Sequence, residues 1–331
     1  MKILIVGAGG IAGYMAYRFS EADADITILS RGKRIGDLAR DGIRVRDGYS
    51  GELAAVPVRA AGQGEITEGM KFDLVLVAVR AFQVEQVLPI LRRLSPASPV
   101  VFTGCYLREM DSWVESLGKE RVFFAFPGNA AVREGDGDIV YVDRSGERDA
   151  VWGITLGRLR PEHDDSVSDS MLQRLEGFFR QAGLPVYRSG NMETVFFSQM
   201  VVRLPVLAAV HMAGGSLEKL FQRGDLLSLM VHGVRELLAV LKALGHKPVP
   251  SSLEMYRWVP VFISANMMKN RFHTLSSKIG IEAFGACSFE ETSFLSSQIL
   301  RMTGEMNTPR DHLLYLLSDY LDEDGEEPLD D

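Results

Sequence analysis

The chain has 331 residues, which is enough for one or two domains with a sizeable core. Apolar residues make up 46% of it and charged residues 24%, as in soluble globular proteins. The net charge is −8, but residues 322–331 hold seven acidic and no basic side chains, so the rest is close to neutral. We therefore expect no nucleic-acid-binding surface, and we predict a disordered acidic tail over residues 322–331.

Cysteine usage bears on the cellular compartment. The two cysteines, Cys105 and Cys287, are too few to form a disulfide framework. No Cys or His spacing in the sequence is typical of a metal site. We therefore expect a protein of the reducing cytoplasm that binds no metal.

The sequence also bears on membrane association. Lys2 precedes an apolar run, as in a signal peptide, but glycines interrupt that run and no clear cleavage site follows. No stretch is predicted to span a bilayer. The best candidate, residues 195–210, contains Gln199, Arg203 and Pro205. We expect no membrane partner.

Residues 1–34 predict, in order, a strand, a glycine turn, a helix, a second strand and a basic loop. The turn, Gly7-Ala-Gly-Gly-Ile-Ala-Gly13, fits the dinucleotide fingerprint G-x-G-x-x-G/A. Gly7 permits the tight turn, Gly9 lets the backbone approach a pyrophosphate, and Ala12 allows the helix to pack near the strand. The pyrophosphate is expected at the helix N-terminus, where free N–H groups favour an anion. A glycine turn without a ligand is the alternative. The predicted contacts are Gly7, Ala8, Gly9, Gly10, Ile11 and Ala12.

The basic loop after the second strand, residues 26–30, indicates which dinucleotide is bound. Sites for NAD place an Asp or Glu there, which accepts a hydrogen bond from the ribose 2′-hydroxyl. This chain instead has Ser30 followed by Arg31, Lys33 and Arg34. A carboxylate would repel a 2′-phosphate, whereas a guanidinium holds it with two hydrogen bonds. We therefore predict NADP(H), with Ser30, Arg31 and Lys33 as contacts. A solvated basic loop is the alternative.

The rest of the N-terminal half alternates strands with helices, which is typical of a Rossmann-type, doubly wound α/β sheet. A small hairpin is predicted before the central strands and an antiparallel edge after them. The predicted ranges are 42–46 and 55–59 for the hairpin, 72–79, 99–103 and 121–126 for central strands, 81–94 for a helix, 138–142 and 152–156 for the antiparallel edge, and 184–187 for the last strand.

From about residue 191 onward helical periodicity dominates, and each break carries Gly or Pro. Helices are predicted over residues 192–204, 226–244, 251–268, 289–302 and 310–321. The sequence thus predicts an NADP-binding Rossmann-type domain over residues 1–190 and an all-helical substrate and catalytic domain over residues 191–321. We interpret the Met- and Phe-rich faces of the helical domain as core, with a homodimer interface as the alternative.

Several stretches occur together in one known family. They are the glycine turn, the Ser30-Arg31 loop, Ala39-Arg-Asp-Gly-Ile-Arg-Val45 and Asp73-Leu-Val-Leu-Val-Ala-Val-Arg-Ala-Phe-Gln83, followed by a helical second half. With them the chain resembles the ketopantoate reductase (2-dehydropantoate 2-reductase) family over nearly its whole length. The resemblance implies NADPH-dependent reduction of a small 2-oxo acid, by default ketopantoate, as in pantothenate biosynthesis.

The resemblance also implies two further cofactor contacts. Arg80 stands where the family typically has a Lys at the end of a strand in the cofactor cleft. A surface charge after a strand is the alternative for Arg80. Gly104 stands in place of the Gly of the family's Asn-Gly after the fifth strand, while Thr103 stands in place of the Asn.

The family's catalytic lysine lies in the first long helix of the helical domain, with an Asn four residues later. Aligned by its apolar positions, the helix over residues 192–204 has Gln199 in the lysine's place and Arg203 in the asparagine's. A shift by one residue puts Ser198 and Val202 there instead. The resemblance further matches the family's substrate-binding serine to Ser276 and places its late Glu near Ser288, with Glu290 and Glu291 close by.

The reaction implied by the resemblance requires a group that stabilises or protonates the developing oxyanion. A Gln side chain donates hydrogen bonds but cannot protonate. The predicted catalytic residues are Gln199, Arg203 as an electrostatic stabiliser and Lys278 as an acid, and the predicted substrate contacts are Ser276 and Glu290. His211 and His273 are further acid candidates. Each of these residues also has a structural interpretation: an ion pair for Arg203, helix capping for Ser276 and Ser277, and a surface position for the others.

Two other functions remain open alongside the reductase. The chain could be an NADP(H)-binding family member that lacks the standard reductase chemistry and acts as a sensor or partner protein. It could also be an oxidoreductase for a different substrate, in which Arg203 binds an acid and another group supplies the proton.

Overall fold

The computed structural model describes residues 1–135, 137–143, 153–161, 166–306 and 308–321, with backbone only at residues 166–169. The predicted acidic tail over residues 322–331 lies outside the described residues, as do Trp152 and Asn307. The chain divides into two compact units. One comprises Met1–Gly104 and Glu109–Met192, and the other comprises Cys105–Arg108 and the chain from Glu193 onward.

The first unit contains the strands that the sequence predicts, and short apolar runs form most of them. The strands are β1 (Lys2–Val6), β2 (Asp25–Leu29), β3 (Ile43–Asp47), β4 (Leu53–Val56), β5 (Arg59–Ala61), β6 (Leu74–Val77), β7 (Val100–Thr103), β8 (Val122–Pro127), β9 (Ala130–Arg133), β10 (Ile139–Val142), β11 (Ile154–Gly157) and β12 (Val186–Ser189). Its helices are α1 (Gly10–Ser20), α2 (Lys33–Asp41), α3 (Val84–Arg93), α4 (Met110–Leu117) and α5 (Ser166–Gln181).

The main sheet has the strand order β12-β11-β8-β7-β6-β1-β2-β5. Six neighbouring strands, from β8 to β5, run parallel, and β11 joins β8 antiparallel. Strand order reverses at β1, because β2 lies on one side of it and β6 on the other. Ligands of such sheets bind outside the carboxyl ends of the strands at this reversal. The predicted Rossmann-type fold is therefore confirmed, and the glycine turn after β1 stands at its switch point.

A second, four-stranded sheet has the order β4-β3-β10-β9. The predicted side hairpin is confirmed as the antiparallel pair β3 and β4. The two segments of the predicted antiparallel edge, residues 138–142 and 152–156, fall in different sheets: β10 pairs antiparallel with β9 and parallel with β3, whereas β11 pairs antiparallel with β8 in the main sheet. All four residues of β10 are buried, so its sequence carries no alternation that would select one partner strand.

Helix α1 is buried along most of its length because it contacts strands of both sheets. Tyr14 and Met15 are fully buried and belong to the same apolar cluster as Ile3 of β1 and Ile139 of β10. A Cβ added at Gly13 would collide with the side chain of Ile139. The close packing of α1 on the second sheet thus depends on a residue without a side chain.

The second unit is helical. Its helices are α6 (Met192–Met212), α7 (Leu217–Phe221), α8 (Gly224–Ala243), α9 (Val261–Arg271), α10 (Leu275–Ser277), α11 (Phe284–Ala286), α12 (Phe289–Glu305) and α13 (Asp311–Leu317), with a π-helical segment over Lys278–Ala283. The predicted all-helical C-terminal region is confirmed.

Helix α6 corrects the expectation that no segment has the length and apolarity to span a bilayer. Among the described residues it alone passes both criteria, despite Gln199, Arg203 and Pro205. However, 72% of its most apolar window is buried inside the protein. Extensive burial within its own unit is typical of a core helix.

Helix α13 is held on α8 by one buried carboxylate. Glu236 of α8 accepts hydrogen bonds from the backbone nitrogens of His312, at 3.1 Å, and Leu313, at 2.7 Å. Its Oε1 also lies 2.8 Å from Nδ1 of His312. Glu236 thus satisfies N–H groups in the first turn of α13, which have no acceptors within their own helix.

Candidate functional site

The glycine turn after β1 has the geometry that close approach of a ligand requires. Gly7 has φ of +112°, and a Cβ there would stand 2.5 Å from the carbonyl oxygen of Ala78. Only glycine fits both the conformation and the contact. At Gly9, the N-cap of α1, an added Cβ would have no described heavy atom within 4 Å beyond its chain neighbours. The turn is therefore tight on the sheet side and open at the helix N-terminus, which suits a bound pyrophosphate.

The next glycines of the fingerprint pack α1 rather than contact open space. A Cβ at Gly10 would collide with the backbone carbonyl of Ala131 in β9. With Gly13 against Ile139, two glycines fix α1 on the second sheet. Ala12, for which the sequence predicts close helix packing, is fully buried, and Gly10 and Gly13 share that role.

The cations of the basic loop after β2 differ in their exposure to solvent. Arg31 and Lys33 are exposed, and Lys33 is the first residue of α2. Arg34 is half-buried and donates a hydrogen bond from Nη2 to the carbonyl of Gly137 at 3.4 Å. Burial lowers the pKa of Arg34, with the neighbouring charge of Arg133 adding to the effect. Arg31 and Lys33 thus remain the cations available to an added phosphate at the carboxyl end of β2.

Three other predicted cofactor contacts also lie beyond the carboxyl ends of parallel strands. Ser30 follows β2 directly, is 9% exposed, and its backbone nitrogen donates to Ala61. Arg80 lies three residues beyond β6, and its backbone nitrogen donates to Oε1 of Gln83 at 3.3 Å. Gly104 follows β7 and donates to Ala125. Because the strands are parallel, these positions share one edge of the sheet with the glycine turn.

Two further polar side chains lie at the same edge, and neither is among the contacts predicted from the sequence. Thr103 ends β7 and is 4% exposed, and Asn129 lies between β8 and β9 and is 9% exposed. Within the described residues, Oγ1 of Thr103 and both Oδ1 and Nδ2 of Asn129 have no hydrogen-bond partner. Buried polar groups in proteins are nearly always paired, so this edge fits a polar ligand. No sequence signal marks such residues, because their burial depends on the tertiary fold.

In the helical unit, α6 presents one narrow polar strip. Between Thr194 and Val210 only Gln199, Val202 and Arg203 are incompletely buried, and their spacing places them on one face. The Arg203 guanidinium lies 4.2 Å from the centroid of the Phe284 ring in α11. The structure thus brings the predicted Gln199 and Arg203 together and places an aromatic ring beside Arg203.

Two acids of α12 and the thiol of Cys105 belong to the same unit as this strip. Glu290 is exposed, whereas Glu291 is half-buried. Burial raises the pKa of the Cys105 thiol to about 12, with Arg203 opposing and Glu291 adding to the shift. Sγ of Cys105 lies 3.5 Å from the backbone oxygen of Phe196 in α6. Glu291 and Arg203 are therefore both close enough to Cys105 to act on it electrostatically.

Ser276 and Lys278 lie where the helix geometry changes. Ser276 is fully buried in α10, and Lys278 is exposed at the start of the π-helical segment. Capping of α10 is performed by Thr274, whose side chain accepts from the nitrogen of Ser277. Thr274, and not Ser276, is therefore the N-cap of α10. π-Helical segments often occur at functional sites.

The two histidines considered as acids lie elsewhere in the helical unit. His211 is eight residues beyond Arg203 on α6, which is about 12 Å along the axis. It lies 3.6 Å from Asp319 and beside the Tyr320 ring. His273 lies against Phe221. Neither histidine shares the Gln199–Arg203 strip.

Comparison with known proteins relates the chain to one family. Residues 3–151 match the family model described as Ketopantoate reductase PanE/ApbA. The chain is 37% identical to the oxidoreductase YkpB of Bacillus subtilis over 27% of each chain, so this match spans about a quarter of that relative. It is 21% identical to a 2-dehydropantoate 2-reductase of Listeria monocytogenes, over 74% of this chain and 78% of that one.

Solved structures share the fold over almost the whole chain. D-mandelate dehydrogenase with NADH and anilino(oxo)acetate superposes with a TM-score of 0.73 at 13% identity, covering 97% of both chains. A 2-dehydropantoate 2-reductase of Geobacter metallireducens superposes with a TM-score of 0.69 at 18% identity, covering 96% of this chain and 98% of that one. At these identities the likeness establishes the fold.

Proposed function

We propose that this chain, a divergent member of the ketopantoate reductase family, is an NADP(H)-dependent oxidoreductase that reduces a small 2-oxo acid. The observation that carries the proposal is the glycine turn at the switch point of the sheet, open at Gly9 and followed by exposed Arg31 and Lys33. Ketopantoate is the first substrate to test, because the matching family model is described as a ketopantoate reductase. Such a reaction belongs in the cytoplasm, where NADPH is available.

In this proposal the N-terminal unit binds the cofactor. The N–H groups at the start of α1 bind the pyrophosphate, and Gly9 leaves room for its close approach. Arg31 and Lys33 bind the 2′-phosphate, because a guanidinium pairs with phosphate oxygens at two points. The bound nicotinamide supplies the hydride.

The helical unit supplies groups that bind and polarise the substrate. Arg203 offers a fixed positive charge to the carboxylate of a 2-oxo acid, and the ring of Phe284 lies beside its guanidinium. Gln199, on the same face, donates a hydrogen bond to the carbonyl oxygen as negative charge develops there. Lys278 is the proposed proton donor, and Ser276 and Glu290 are proposed substrate contacts. These five assignments rest on position and chemistry in the helical unit.

A matched set of substrates tests the role of the carboxylate. NADPH oxidation is measured with ketopantoate and smaller 2-oxo acids, and with the corresponding 2-oxo amides, which lack the negative charge. We expect turnover with at least one acid and, for its amide, a kcat/KM at least tenfold lower, because a charge-assisted contact contributes about 1.5–3 kcal/mol. Arg203→Met should abolish that preference and Arg203→Lys should keep part of it. An amide as active as its acid would contradict this role for Arg203.

A second candidate function is dinucleotide binding without reduction. The observation that favours it is the composition of the α6 strip, in which neither Gln199 nor Arg203 can release a proton near neutral pH. NADPH binding with no turnover of any 2-oxo acid would establish this alternative and exclude the reductase.

A further inference from the structure

Asn129 is a buried residue of the first unit in which both polar side-chain atoms are unsatisfied. Its side chain is 9% exposed, and neither Oδ1 nor Nδ2 has a hydrogen-bond partner within the described residues. A buried donor or acceptor that is left unsatisfied destabilises the folded protein. A structure tolerates that cost most readily where a ligand supplies the partners.

The position of Asn129 identifies which ligand that is. Asn129 follows β8 at the carboxyl edge of the parallel strands and directly precedes β9. Two residues later, the carbonyl of Ala131 lies against Gly10 in the first turn of α1. The chain spans at most about 3.6 Å per residue, so the Asn129 backbone is within about 7 Å of the Ala131 backbone. Asn129 therefore lies near the N-terminus of α1, where the proposed dinucleotide binds.

Thr103 is an independent second observation at the same edge. It ends β7, which pairs with β8, and its Oγ1 is buried without a partner among the described residues. β7 and β8 lie on the β6 side of the switch point, opposite β2 and its basic loop. If the 2′-phosphate of the adenosine half lies at Arg31, the nicotinamide half lies on the side of β7 and β8.

We propose that Asn129, supported by Thr103, binds the nicotinamide ribonucleoside half of the dinucleotide, an inference that rests on the proposed cofactor. Both amide atoms require partners, one an acceptor and one a donor. A phosphate group offers only acceptors and would leave Oδ1 unsatisfied. The ribose diol and the nicotinamide carboxamide each offer a donor beside an acceptor, and both belong to that half of the cofactor.

The experiment uses the full chain with the substitution Asn129→Leu, which replaces the amide by an apolar group of similar volume. Binding of three probes is measured by calorimetry: NADPH, 2′-phospho-ADP-ribose, which lacks only the nicotinamide, and adenosine 2′,5′-bisphosphate, which lacks the whole nicotinamide nucleotide. The unfolding midpoint of the free protein is measured in parallel. Asn129→Asp keeps the acceptor and removes the donor, and Thr103→Val removes the hydroxyl at similar volume.

We expect Asn129→Leu to raise the Kd of NADPH about tenfold, to leave the Kd of adenosine 2′,5′-bisphosphate unchanged, and to maintain or raise the unfolding midpoint. Asn129→Asp and Thr103→Val should weaken NADPH binding less. Equal weakening of NADPH and 2′-phospho-ADP-ribose assigns the contact to the ribose diol. Weakening of NADPH alone assigns it to the carboxamide.

Three results would overturn the inference. They are unchanged NADPH binding by Asn129→Leu, equal weakening of all three probes, and a lowered unfolding midpoint in Asn129→Leu and Asn129→Asp without any change in binding. If the unsubstituted protein binds neither NADPH nor NADH, the proposed function is wrong. Because the unsubstituted protein is measured first, this outcome is recognised before any variant is measured.

Discussion

Arg31 donates a hydrogen bond from Nη1 to Oε1 of Gln86 at 3.1 Å. The contact joins the basic loop after β2 to the first turns of α3, which follows β6. Both side chains are exposed, so the bond is readily exchanged for one to a ligand. This contact therefore holds Arg31 at the carboxyl edge of the sheet, where the glycine turn follows β1. Arg31 nevertheless remains exposed.

Arg31 is expected to determine the choice between NADPH and NADH. Arg31→Ala should raise the KM or Kd of NADPH by roughly 10–100-fold, because a charge-assisted contact contributes about 1.5–3 kcal/mol, and should change NADH by less than twofold. Gln86→Ala is the matched control, since it removes the partner and keeps the cation. Equal effects of Arg31→Ala on both cofactors would contradict the 2′-phosphate assignment.

Substitutions at two glycines of the turn are expected to affect different properties: Gly9 is expected to matter for NADPH binding, and Gly13 for stability. Gly9→Ala places a methyl group in open space, so the unfolding midpoint should stay within a degree or two while NADPH binding weakens at least tenfold. Gly13→Ala forces a collision with Ile139, so it should destabilise the protein by about 1–3 kcal/mol. Thermal unfolding and NADPH titration of both variants measure this. Loss of stability in Gly9→Ala with binding retained would reverse the two roles.

Glu236 is expected to hold α13 on α8. Glu236→Ala leaves N–H groups of His312 and Leu313 without their acceptor and should cost about 2–3 kcal/mol in the free energy of unfolding. Glu236→Gln keeps one carbonyl oxygen and should cost less. Urea unfolding followed by circular dichroism measures both variants. Unfolding of Glu236→Ala at the same urea concentration as the unsubstituted chain would contradict this role of Glu236.

The two thiols are expected to differ in reactivity. Burial raises the pKa of Cys105 to about 12, so the thiol stays protonated near pH 8 and its thiolate population grows only as the pH approaches that value. Cys287 is exposed. Iodoacetamide at pH 8, with mass spectrometry of the digested protein, should therefore modify Cys287 at least tenfold faster than Cys105. Denatured protein is the control, in which both should react at similar rates. Equal rates in the folded protein would contradict the raised pKa of Cys105.

Some of this architecture follows from local sequence and some does not. The glycine turn and the helical second half could be predicted, because fingerprint spacing and helical periodicity are properties of short segments. The pairing of β10 could not, because a fully buried strand shows no alternation that selects a neighbour. Packing of α1 through Gly10 and Gly13 also escaped prediction, since it depends on strands more than a hundred residues away.

Among the polar residues of the candidate site, some are likewise visible in the local sequence and others only in the tertiary fold. Arg31 can be proposed from the sequence because a cation shortly after a predicted strand is visible there. Asn129 was missed because it precedes an ordinary apolar strand, and its significance lies in burial without a partner. Gln199 and Arg203 were recognised as polar groups within an apolar helix, but the ring of Phe284 beside Arg203 comes from a helix eighty residues further along the chain.

The central claim is that this chain reduces a 2-oxo acid with NADPH. The most direct measurement is the rate of NADPH oxidation, and in parallel of NADH oxidation, by the purified full chain with ketopantoate and a series of smaller and larger 2-oxo acids. We expect turnover above background with at least one acid and a kcat/KM at least tenfold higher with NADPH than with NADH. Absence of turnover with every acid and both cofactors would contradict it.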